Sequence, residues 1–95
     1  MKILKPSTQY KKDFKRILNN PNKLSALRVV LDKLQYEQPI PPENKPHMLT
    51  GDYAGCMECH IEGDFLLIWI DPNTDKIGLV RLGSHSELFG KGKKR

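Results

Sequence analysis

The sequence predicts an α+β domain in which an N-terminal strand and a helical hairpin pack on a small, mainly antiparallel sheet. Three observations carry this. Apolar residues recur at helical spacing twice between residues 8 and 36, they recur at strand spacing three times between 56 and 82, and breakers separate the segments. The 95 residues suit one domain, expected over 1–90, with 91–95 as a basic tail.

Lys2 to Lys5 reads as a first strand that ends at Pro6. Ser7 or Thr8 can cap a helix whose buried stripe is Tyr10, Phe14, Ile17 and Leu18. Asn19-Asn20-Pro21-Asn22 reads as a breaker, and a second helix is expected from Lys23 to Tyr36, with Leu24, Leu27, Leu31 and Leu34 on one face. Gln38 to Pro46 holds four prolines, which disfavour helix and make a stiff connector delivering Lys45, His47 and Met48. In the strand expected from Cys56, alternation puts Met57, Cys59 and Ile61 on one face and Cys56, Glu58 and His60 on the other. Glu62-Gly63-Asp64 turns the chain into the continuous apolar strand Phe65 to Asp71. The last strand, Lys76 to Leu82, should present Ile77, Leu79 and Arg81 opposite Gly78, Val80 and Leu82. Ser84 and Glu87 then have capping-box spacing, which starts a helical turn with His85 at its first position, where unpaired N–H groups favour an anion.

The net charge of +5 is unevenly spread. Residues 1–33 carry nine Lys/Arg against two Asp/Glu, residues 34–90 carry three against nine, and the tail adds four cations. A basic hairpin and tail suit a polyanion such as RNA, and equally an acidic protein or a solvated helix face. No apolar run reaches the ~20 residues of a membrane span, and no signal-peptide core is visible, so a cytoplasmic location without membrane contact is expected.

The three histidines, His47, His60 and His85, can gather with Asp64 and Arg81 around the sheet face away from the helices. Histidine takes and gives protons near neutrality. Such a set can cleave RNA without a metal: a base takes the 2′-OH proton, an acid protonates the 5′-oxygen, and cationic donors stabilise the phosphorane. Each residue also has a plain structural reading, Asp64 as a turn residue, Arg81 as an ion-pair partner and Phe89 as a core anchor. Cys56, Cys59 and His60 form a Cys-x-x-Cys-His string. Haem attachment is excluded by the expected location, while a zinc-binding interaction module needing a fourth ligand stays open.

Four blocks carry a resemblance: Pro46 to Gly51, Glu58 to Ile61, Asp64 to Trp69, and Arg81 to Phe89. In these the chain resembles the YafQ-type mRNA interferase toxins of the RelE/ParE superfamily, from type II toxin–antitoxin pairs. The resemblance implies a RelE-like fold of order β-α-α-β-β-β and a ribosome-dependent endoribonuclease that cuts mRNA and stops translation. It needs no cofactor or metal. Its expected partners are a cognate antitoxin, the ribosome and mRNA, with operator DNA met only through the antitoxin complex. It implies catalytic roles for His47, His60, Asp64 and His85, with His85 as general acid. Arg81, Phe89, Phe65 and Lys45 are the expected substrate-binding residues. The family often has Trp where Phe65 stands and Arg where Met57 stands. Some members of the superfamily poison DNA gyrase by binding, but generally lack the histidine set.

Overall fold

The computed structural model describes residues 1–90, so the expected basic tail, 91–95, lies outside the described residues. Strand β1 (Ile3–Pro6) leads into α1 (Thr8–Lys15) and α2 (Pro21–Gln35). Strands β2 (His47–Met48), β3 (Met57–Glu62), β4 (Phe65–Ile70) and β5 (Lys76–Gly83) follow, and α3 (His85–Phe89) ends the domain. The five strands form one sheet in the order β1-β5-β4-β3-β2, parallel between β1 and β5 and antiparallel elsewhere. No helix among the described residues is long and apolar enough to cross a membrane.

Local chemistry explains most boundaries. The Ser7 side chain accepts from the Tyr10 N–H and caps α1. The Asn-Pro segment expected to break structure instead starts α2: Asn20 accepts from the Lys23 N–H, and Pro21 occupies the first turn, where a missing N–H costs nothing. Leu18 leaves the buried stripe because α1 stops at Lys15; it is exposed, while Tyr10 and Ile17 are buried. The proline connector is not wholly extended, since Pro42–Asn44 makes one 3-10 turn. It then forms β2, an edge strand too short to register in the sequence pattern.

The main core lies between the helices and one sheet face. Tyr10, Ile17, Leu27, Val30 and Leu34 meet Cys59, Ile61, Leu67, Trp69, Ile77, Leu79 and Leu82. Leu79 and Leu82 share this face because a bulge in β5 separates the pairs Trp69–Leu79 and Ile68–Arg81. The extra residue, Val80, breaks the expected alternation and turns Arg81 to the other face with Ile68. That second face is half covered by a smaller cluster of Leu49, Cys56, Leu66, Ile68 and Leu88, with Tyr53 and Phe89 against it.

Candidate active site

Sheet register places the polar residues of the second face. One row across the strands reads His47, Glu58, Ile68, Arg81. The next reads His60, Leu66, Gly83, after which the chain turns into α3 and delivers His85. Adjacent strands lie about 4.8 Å apart, so His60 and Gly83 are about 10 Å apart at the backbone. The turn back towards the sheet closes that gap: the rings of His60 and His85 meet edge to face with centroids 5.5 Å apart.

His85 is held at its other edge. Its Nδ1–H donates to Asp64 Oδ1 at 2.5 Å, and its backbone N–H donates to the same oxygen at 2.9 Å. The anion at the α3 N-terminus is therefore the chain's own Asp64 carboxylate. The His85 backbone N–H and then its ring hold the Asp64 carboxyl below the usual carboxylate value. Glu87, two residues beyond His85, serves the capping box instead; Ser84 N–H donates to it at 2.8 Å, and Arg16 lies 3.4 Å away. With Nδ1 committed to Asp64, Nε2 of His85 is the nitrogen left to exchange a proton.

His47 sits between two oxygens. Its Nδ1–H donates to the Lys45 carbonyl at 2.8 Å, and its Nε2 lies 3.2 Å from Glu58 Oε1. Lys45 adopts a left-handed conformation, φ 51°, and contributes this carbonyl while its side chain is exposed. Asn44 Nδ2 donates to the His60 carbonyl at 2.7 Å, so the connector braces both histidines. The ring nitrogens of His60 make no hydrogen bond among the described residues.

Glu58 was not among the sequence-derived site residues, although alternation places it on the His60 face; it is fully buried. Glu58, His60 and His85 each bring a ligand atom within 4.8 Å of the others, a nitrogen-and-oxygen donor set that suits a divalent transition ion. Neither cysteine joins that group. Cys59 faces the helix-side core and Cys56 the opposite cluster, so the Cys-x-x-Cys-His string is split across the sheet. Burial, reinforced by the Glu58 charge, pushes the Cys59 thiol up to about 12, which disfavours the thiolate a metal needs.

The expected binding residues divide. Phe89 stays beside the site, tilted against His85 at 6.4 Å and edge to face with Tyr53 at 5.6 Å. Phe65 does not line it: the residue is 2% exposed in the helix-side core, with Lys23 Nζ 5.1 Å from its ring centroid. As the first residue of β4 it has the opposite orientation to Leu66, which shares the His60 row. Arg81 reaches the site face but is already paired with Asp13 of α1, at 2.8 Å from Nε to Oδ2, and its NH1 group donates to the Tyr53 hydroxyl at 3.3 Å.

This arrangement has counterparts. The profile of the bacterial toxin YafQ, of type II toxin–antitoxin systems, matches residues 2–90. The chain belongs to the YafQ toxin family. It is 34% identical over 86 residues to the mRNA interferase toxin YafQ of Escherichia coli K12, covering 88% of this chain and 91% of that protein. Its fold matches the crystal structure of a metal-bound toxin from Helicobacter pylori with a TM-score of 0.82 at 39% identity, covering 94% of this chain and all of the other. It also matches a chain of the E. coli DinJ-YafQ toxin–antitoxin complex, with a TM-score of 0.82 at 29% identity, over 94% of this chain and 98% of that one. The α+β order read from the sequence is thus that of YafQ toxins, and the resemblance read there is the right family.

Proposed function

We propose that this YafQ-family protein is the toxin of a type II pair, an endoribonuclease that cuts mRNA on the ribosome in the cytoplasm. Its antitoxin is a separate protein, by analogy with the E. coli DinJ-YafQ toxin–antitoxin complex. The observation that carries the reading is the Asp64–His85–His60 cluster, in which two imidazoles face each other 5.5 Å apart and one is fixed by a carboxylate. In the proposed reaction His60 takes the proton of the 2′-OH. The 2′-oxygen forms a bond to phosphorus, and the bond from phosphorus to the 5′-oxygen breaks. His85 Nε2 gives its proton to that leaving oxygen, producing a cyclic phosphate and a 5′-hydroxyl. Asp64 accepts from the His85 Nδ1–H and so orients the ring to present Nε2–H to the leaving oxygen. Arg81 supplies donors to the phosphate oxygens and Phe89 offers a face for a base, while His47, its two ring nitrogens held by Lys45 and Glu58, lines the site beside them.

A metal is not needed for these steps. An ion bound by Glu58, His60 and His85 would occupy imidazole lone pairs, and so oppose proton transfer by this chain. Mapping transcript 5′ ends after induced expression tests the function. New cuts within translated mRNA, lost with His85→Ala, are expected. DNA-damage signalling without cuts would instead make the protein a gyrase poison.

A further inference from the structure

We infer that Asp13, on α1 and outside the histidine cluster, is the positioning residue for Arg81, fixing how the guanidinium is presented to the scissile phosphate. The inference rests on the proposed reaction, in which Arg81 meets that phosphate.

Asp13 is a carboxylate on α1 with 2% of its surface exposed. A buried carboxylate is costly unless its oxygens are satisfied. Here they accept from Arg81 Nε at 2.8 Å, from Arg81 NH2 at 3.3 Å, from Gln9 Nε2 at 3.1 Å and from the Leu82 N–H at 3.0 Å. The two bonds to Arg81 form the fork that matches guanidinium to carboxylate and sets its plane. Burial pushes the Asp13 carboxyl up, but the bonds from Arg81, Leu82 and Gln9 outweigh it and leave the group below the usual carboxylate value.

The Leu82 contact ties this pair to the β5 bulge. A bulge leaves backbone groups outside the ladder. On the N-terminal side of Arg81, the Ser7 N–H donates to the Leu79 carbonyl at 2.9 Å and the Ser7 hydroxyl to the Val80 carbonyl at 2.8 Å. On its C-terminal side Asp13 takes the Leu82 N–H. The start of α1 thus clamps the segment whose bulge turns Arg81 to the histidine face. Donor accounting then shows what is left for a ligand. An arginine carries five N–H groups. Two go to Asp13 and one to the Tyr53 hydroxyl, so one on NH1 and one on NH2 remain. Tyr53 in turn donates to the Leu88 carbonyl at 3.4 Å in α3, the helix that starts with His85. Asp13 fixes one edge of the guanidinium and Tyr53 a further corner, and the uncommitted N–H groups are held in one orientation.

The test is a double-mutant cycle on the full chain, with single-turnover cleavage of ribosome-programmed mRNA and thermal melting measured together. Asp13→Asn is expected to slow cleavage about tenfold or more. In an Arg81→Ala background the same change is expected to add less than about a twofold effect, because it acts through the guanidinium. A merely structural Asp13 would slow both backgrounds by the same factor, which would overturn the inference, as would a folded Asp13→Asn variant with wild-type cleavage. If Asp13→Asn does not fold, the wild-type chain decides. The Arg81 Nε–H signal should be resolved by NMR and slow to exchange with water, and rapid exchange would overturn the pairing. Wild-type cleavage by Arg81→Ala would defeat the phosphate role of Arg81, while the exchange measurement still reports on its pairing with Asp13.

Discussion

Gly83 is the hinge that turns β5 into α3, and Gly83→Ala shows how far His85 depends on that geometry. Its φ of 155° lies where L side chains are rare, and a Cβ there would stand 2.9 Å from Glu87 Oε1, 3.3 Å from Glu87 Cβ and 3.4 Å from Leu88 Cδ2. The backbone strain is worth about 1–3 kcal/mol. Glu87 must also move off the Ser84 N–H, and losing such a bond at an exposed position costs about 1 kcal/mol. The sum, about 2–4 kcal/mol, lowers the melting temperature of a domain this size by roughly 10–25 °C. Gly51→Ala is the control, since Gly51 has φ 71° and nothing within 4 Å of an added Cβ. It should cost only the left-handed strain, about 1–2 kcal/mol. Thermal unfolding by circular dichroism, with cleavage assayed well below both transitions, separates the variants. Gly83→Ala should melt lower than Gly51→Ala and cleave more slowly while folded. If the two melt together and cleave alike, the packing of the capping box against the hinge does not position His85.

The two phenylalanines should fail differently. Phe65→Ala opens the core and costs about 3–5 kcal/mol of stability, read by denaturant unfolding, whereas Phe89→Ala should slow cleavage more than it lowers stability. A chelator should leave cleavage unchanged, while added Cu²⁺ or Zn²⁺ should inhibit it reversibly, with binding measured by calorimetry and weakened by Glu58→Gln. Asp13 has a folded pKa below its unfolded value, so its contribution to stability is present above about pH 4 and lost as pH falls through the lower folded value. Asp13→Asn should therefore be destabilised at neutral pH but lose less stability than the wild type on acidification, measured by melting temperature from pH 7 to 3.

Most of the fold was legible because period and punctuation agreed. The leucine stripe of α2, the alternation of β3 and the apolar run of β4 each point to one local structure, and the structure has all three. Departures arose where one residue changed a period or a few residues made an element. The Val80 bulge reversed the expected facing of Leu82, and two-residue β2 is held by pairing with β3 that no local pattern records. In the site, the sequence offered the three histidines as candidates and the resemblance gave them roles, but neither told who holds whom. The contact between Asp64 and His85 crosses 21 residues and that between Asp13 and Arg81 crosses 68. Phe65 was misplaced because the resemblance gives position without orientation, and on a strand one step in register changes the face. Glu58 was visible as a neighbour of His60 by alternation, but its pairing with His47 required β2.

The central claim is that His85 protonates the leaving 5′-oxygen. The most direct measurement replaces that bridging oxygen by sulfur at the cleaved linkage of a ribosome-bound mRNA, because a thiolate leaves without an acid. His85→Ala is expected to cleave the normal linkage about 10²–10⁴-fold more slowly than the wild type. It should cleave the sulfur-containing linkage at close to the wild-type rate. An equal loss on both linkages would contradict the assignment and leave His85 a binding residue.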